Sequence, residues 1–219
     1  MNTRMKHPLV NALAAAAGLA AIAGCASLPS SAELDREAAA VMRASFRDQG
    51  IAKVDRIAQD LGQSACSSDQ PPSDAVAAQI IAAAQASVKW PSGGQFFGDW
   101  REGEKLAQNG RGMTWTDSSA AASANGGSCY NCHQLSKAEI SFGTIGPSLY
   151  NYGKTRGVTD VMAPTAKPIV DYTWMKLYNS KSYNACSNMP RFGHQGLLDE
   201  KQLAHLMSLL LDPKSPVNQ

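Results

Sequence analysis

Charge and aromatic side chains are both scarce in this chain. Only 17% of its residues are charged and 7% aromatic, and its 20 basic groups barely exceed its 18 acidic ones. That balance excludes the basic footprint that neutralising a phosphate backbone requires, so nucleic acid is not an expected partner. Beyond the first 25 residues there is also no apolar run of the roughly 20 residues needed to span a bilayer, which excludes a transporter or channel. What remains, 219 residues at 44% hydrophobic, suffices for one domain with a helical appendage.

The N-terminus reads as an export signal. Arg4 and Lys6 form a short basic region, and the stretch from Leu9 to Ile22 is small and apolar. It closes in Ile22-Ala23-Gly24-Cys25, a lipobox-like end with Cys25 as the lipidated first residue. Ordinary cleavage after Ala23 or Ala26 is the competing reading. Loss of residues 1–24 removes Arg4 and Lys6 and no acid, taking the formal charge from +2 to zero. The expected location is the periplasm, with or without a lipid anchor.

Five cysteines are then to be read in an oxidising compartment. Cys129-Tyr130-Asn131-Cys132-His133 spells C-x-x-C-H, the attachment signature of c-type haem. Two cysteines three apart can each form a thioether to a haem vinyl group, while the adjacent imidazole faces the iron. Shuffling this composition would produce the pattern only about 0.002 times per chain. A thioredoxin-like pair would want a βαβ context, and a zinc ribbon a second close Cys/His pair; neither is present.

An electron-carrying haem iron needs a sixth ligand, usually Met or His. Met42, Met175 and Met207 sit at helical spacing with apolar neighbours, where packing is the default. Met189 instead lies in Asn188-Met189-Pro190-Arg191-Phe192-Gly193, a non-helical segment between two expected helices, so a loop can carry its thioether to the iron. His194 is its rival. Pro147, 14 residues after His133, can offer its carbonyl to the imidazole N–H and so fix the tautomer; a plain turn is the bland alternative.

The flanking pattern is helical. Asp99 to Asn109 reads as a helix with a small Gly103/Ala107 stripe, stopped by Gly110. A last helix begins at the N-cap Asp199 with Gln202 three residues on, places Leu203, Leu206, Met207 and Leu210 on one face, and ends before Pro213. A third spans about Asp171 to Asn179. These fit the class I cytochrome c plan, in which the Gly103 helix crosses the last one. Upstream, Ser30 and Glu33 form a capping box, Ile51, Val54, Ala58 and Leu61 read as a second helical series, and Asp74 to Lys89 as an alanine-rich helix.

Together, Gly98-Asp99-Trp100-Arg101-Glu102-Gly103-Glu104-Lys105, the glycine-rich run Asn125-Gly126-Gly127-Ser128 leading into C-x-x-C-H, Gly146-Pro147-Ser148-Leu149, the Asn188 to Gly193 element and Leu211-Asp212-Pro213-Lys214-Ser215-Pro216 resemble the SoxX cytochromes of the bacterial thiosulfate-oxidising (Sox) pathway over about residues 88–218. The resemblance implies an all-α class I cytochrome c fold, one covalently attached haem c on Cys129 and Cys132, and axial ligation by His133 and Met189. It implies further that the chain pairs with a SoxA-type cytochrome as an L-cysteine S-thiosulfotransferase. Such a pair couples thiosulfate to a cysteine of the SoxYZ carrier, the catalytic haem lying in SoxA and no catalytic residue in this chain. Electrons would leave through a small acceptor cytochrome.

The expected layout is a signal peptide over 1–24, a helical extension and linker over 25–95, a cytochrome c domain over 96–213 and a tail over 214–219. Cys66 and Cys186 are left over; in an exported protein two spare thiols most simply join one another, an intersubunit disulfide being the competing use. Arg156 and Arg191 are candidates for haem propionates or for a partner. A freestanding periplasmic electron shuttle is the alternative function, and it would typically carry a ring of lysines around its haem edge. Between Gly110 and Ser136 the sole basic residue is Arg111, which favours a docked subunit. A non-redox interaction protein is the third reading, removed by covalent haem.

Overall fold

The computed structural model describes residues 28–219. The expected signal peptide and Cys25 lie outside the described residues. Within them the chain is helical: six α-helices joined by 3-10 turns, no strand, and an isolated antiparallel bridge between Gln49 and Ala52. No helix among the described residues is long and apolar enough to cross a membrane.

The chain divides into two compact units, the first ending at Phe46 and the second running from Arg47 to Gln219. The described part of the first is α1 (Ser31–Ser45). Its start is set by the capping box, in which the Glu33 N–H donates to the Ser30 hydroxyl at 3.3 Å and the Ser30 N–H to the Glu33 carboxylate at 2.8 Å. None of its residues is buried, and Leu34, Val41 and Met42 stand exposed.

The second unit holds α2 (Leu61–Cys66), α3 (Asp74–Ala86), α4 (Trp100–Gln108), α5 (Lys167–Tyr178) and α6 (Glu200–Leu211). It therefore begins at Arg47 and not at residue 96, so that residues 47–95 belong to the same compact unit as residues 96–219. Its centre is α6, which carries apolar side chains almost all round and is accordingly buried from Gln202 to Leu211 except at His205. Asp199 and Gln202 cap it reciprocally, and Pro213 stands just beyond its end. Helix α4 crosses α6 at Gly103, where a Cβ would collide with the His205 carbonyl. With a methyl there the two backbones could not approach so closely. The N-terminal approach to α4 is tied to α6 as well: the Gly98 N–H donates to the Ser208 hydroxyl at 2.9 Å and the Asp99 N–H to His205 Nδ1 at 2.8 Å.

Helix α5 starts at Lys167, four residues before the expected Asp171, because Pro168 in its first turn loses no intrahelical bond. Its Trp174 is 1% exposed, donates its indole N–H to the Lys89 carbonyl at 2.9 Å and meets the Phe96 ring edge-on at 5.6 Å. The series from Ile51 to Leu61 is not one helix. Gly50 takes φ +54°, Asp48 accepts the Val54 N–H at 2.8 Å, a 3-10 turn covers Val54–Ile57, and Asp60 caps α2 afresh. Residues 214–219, expected as a tail, close the core instead: Val217 is buried, and the Asn218 side chain accepts the Gly153 N–H at 2.9 Å while donating to the Leu210 carbonyl at 3.1 Å.

Candidate functional site

Asn109, Gly126, Gly127 and Ser128 deliver the chain to the C-x-x-C-H segment along the end of α4. The Gly127 N–H donates to the Leu106 carbonyl at 2.8 Å and the Ser128 N–H to the Asn109 carbonyl at 3.0 Å. A Cβ on Gly126 would strike the Asn109 backbone, so this close antiparallel approach requires the glycine. Ser128 then adopts φ +52°, and Cys129–Asn131 wind into a single 3-10 turn, with the His133 N–H closing on the Cys129 carbonyl at 2.9 Å. That turn confines Cys129, Cys132 and His133 to one short, internally bonded segment.

The imidazole is held from behind. His133 Nδ1 lies 2.6 Å from the Pro147 carbonyl oxygen; a carbonyl only accepts, so Nδ1 donates, which in the neutral ring leaves the lone pair on Nε2 for a ligand bond. Gly146 packs flat against the ring, and any Cβ there would overlap it. The same loop is sewn to the motif by the Gly146 N–H on the Cys132 carbonyl at 2.8 Å and the Gly143 N–H on the Tyr130 carbonyl at 2.9 Å. Ile145, between these two glycines, is 81% exposed.

Cys129 and Cys132 are free thiols, whereas Cys66 and Cys186 are joined in a disulfide within the chain. Burial pushes the Cys129 thiol up to about 12, so it is not a thiolate at neutral pH. Among the described residues no three His, Cys, Asp or Glu side chains gather closely enough to hold a metal ion between them. Two unbridged thiols beside an imidazole with a free Nε2 fit a covalently attached c-type haem.

Met189 is half-buried, and it packs against the same apolar core as Cys129 and Tyr130. It also lines a cavity of about 360 Å³ together with Gln59, Gln63, Arg191 and Gln195. Its rival His194 is exposed, its imidazole kept below the usual value by partial burial and by Arg191. The two arginines offered as anion ligands are engaged internally. Arg191 pairs with Asp60 at 2.6 Å, and Arg156 stacks 3.8 Å over the Tyr152 ring.

Sequence reasoning passed over Asn125. It is 3% exposed, donates from Nδ2 to the Leu197 carbonyl at 2.8 Å, and so ties the approach to the motif to the chain beyond Met189. An asparagine before two glycines reads as a turn, and no local signal announces so distant a partner. The contact of Gly146 with the His133 ring was likewise invisible from spacing alone.

No known protein-family model matches the sequence. Over 168 residues, 74% of this chain and 74% of the other, it is 37% identical to a protein described as an uncharacterized lipoprotein of Aquifex aeolicus (strain VF5).

Proposed function

We propose, for a chain that belongs to one family with that Aquifex aeolicus lipoprotein, the role of a monohaem cytochrome c that relays electrons in a periplasmic enzyme. One observation carries the reading: two unbridged thiols and an imidazole share one turn, with Nδ1 engaged by Pro147 at 2.6 Å and Nε2 left to ligate. Haem c, when bound, supplies a one-electron couple at its iron.

The chain's residues divide the work. Cys129 and Cys132 would hold the porphyrin through thioethers, and His133 and Met189 would bind its iron. Pro147 sets the His133 tautomer and makes Nε2 the better donor. The close crossing of α4 and α6 and the helical content support a class I cytochrome c fold. The lipoprotein relative supports export and anchoring through Cys25.

Within that reading the chain is the SoxX-type subunit of a SoxAX L-cysteine S-thiosulfotransferase. Joining a thiosulfate sulfur to a cysteine sulfur of the SoxYZ carrier releases two electrons, more than one iron accepts at a time, so this subunit works with a SoxA-type partner and a small acceptor cytochrome. Export through a host with cytochrome c maturation should yield a chain that keeps its haem stain on a denaturing gel, and Cys129→Ser with Cys132→Ser should lose it. A secreted wild-type chain without covalent haem would refute the cytochrome reading. Purification from thiosulfate-grown cells then separates the roles: a co-eluting second haem subunit with coupling activity establishes the enzyme subunit, and a solitary reducible cytochrome establishes the freestanding shuttle.

A further inference from the structure

Between α5 and the Met189 loop lies a four-residue polar turn, Asn179 to Ser182, in the interior: these residues are 2%, 0%, 7% and 0% exposed. Polar groups are costly to bury unless bonded, so their partners show what the turn holds. Asn179 donates to the Ser87 hydroxyl at 2.9 Å and the Ser182 carbonyl accepts from Gln85 at 3.0 Å, which fastens the turn to the end of α3. Lys176 donates to the Ser180 carbonyl at 3.0 Å, and Lys181 to the carbonyls of Ala185 at 2.7 Å and Gly62 at 3.4 Å. The loop beyond the turn is fixed at its ends by the Cys66–Cys186 bridge and by the Arg191–Asp60 pair. Between those ends, the Ser180 hydroxyl donates to the Met189 carbonyl at 2.5 Å.

We infer that Ser180 is a positioning residue for Met189: it pins the main chain at Met189 and thereby sets where the thioether lies. This rests on the proposed haem reading only for the consequence at iron. The hold on the loop stands without it. Ser182 supplies an internal control, because it is as deeply buried and its own hydroxyl finds no hydrogen-bond partner among the described residues. Removing that hydroxyl removes no hydrogen bond.

The test compares Ser180→Ala with Ser182→Ala in the full mature chain by two readouts. Amide hydrogen exchange over residues 186–192 should quicken about tenfold in Ser180→Ala and stay at the wild-type rate in Ser182→Ala, the size expected for one buried hydrogen bond. In the haem-loaded protein, added imidazole should displace the sixth ligand with about tenfold higher affinity in Ser180→Ala, and the reduction potential should fall. A turn that merely stabilises the fold would move unfolding and leave the imidazole affinity and potential unchanged. Identical behaviour of the two variants in loop exchange overturns the inference. Faster exchange in a chain that takes up no haem upholds the hold on the loop and refutes the cytochrome reading. Lys176→Met loosens the same turn from outside and gives a second measurement in the same direction, about threefold, should Ser180→Ala not be recovered folded.

Discussion

Cys129 and Cys132 stay thiols in a chain that oxidises its other cysteine pair. Packing explains the inertness of the first. Burial raises Cys129 to about 12, which keeps it a protonated thiol and slows disulfide exchange. In protein made without haem, iodoacetamide at pH 8 should therefore alkylate Cys129 at least about tenfold more slowly than it alkylates an unstructured cysteine peptide, as followed by peptide mass spectrometry. Equal rates would mean that the core does not shield this sulfur. The motif was readable because its two cysteines and its histidine lie within five consecutive residues, and Pro147 because its carbonyl need only return to the adjacent imidazole. Gly146 was not, since its role is the room it leaves for a ring 13 positions earlier in the chain.

Helix α2 shows how one carboxylate can serve both an element and its neighbour. Asp60 accepts the Gln63 N–H at 2.7 Å as N-cap and receives Arg191 at 2.6 Å. Partial burial alone would raise its carboxyl, but the Gln63 amide and the Arg191 guanidinium outweigh burial and hold it below the usual value. A folded pKa lower than the unfolded one means stability that is present above the unfolded value, about 3.9, and lost as the pH falls through the folded one. Asp60→Asn keeps a capping oxygen and loses the ion pair. Wild type should exceed it by no more than about 1 kcal/mol at pH 6, since the pair is partly exposed, and the gap should close below about pH 4 in urea titrations. A gap unchanged from pH 6 to pH 3 would show that the ionised carboxylate contributes nothing. The caps at Ser30 and Asp199 stood in the sequence, because capping is local chemistry within three residues. The break between Gly50 and Asp60 did not, because apolar spacing continues across it while the backbone turns away.

Across the whole molecule, the Cys66–Cys186 bridge closes a separation of 120 residues and draws the second unit's first helix onto the Met189 loop. A cross-link of that length restricts the unfolded chain strongly, and its reduction should cost about 2–5 kcal/mol, seen as a lower denaturant midpoint in dithiothreitol with little change in helical signal below the transition. An unchanged midpoint would place the stability of this unit in its core alone. By itself the sequence determined helical class, the C-x-x-C-H turn with its proline acceptor, the caps of the main helices and the small-residue stripe at Gly103, because each is encoded in neighbours a few positions apart. Tertiary structure alone decided that the unit begins at Arg47, that Asn125 reaches Leu197, that the C-terminal residues seal the core and that a buried polar turn grips Met189. Those contacts join residues whose local patterns carry no mark of one another; they form only when the apolar face of α6 draws α4 and α5 around it and leaves buried polar groups to find partners there.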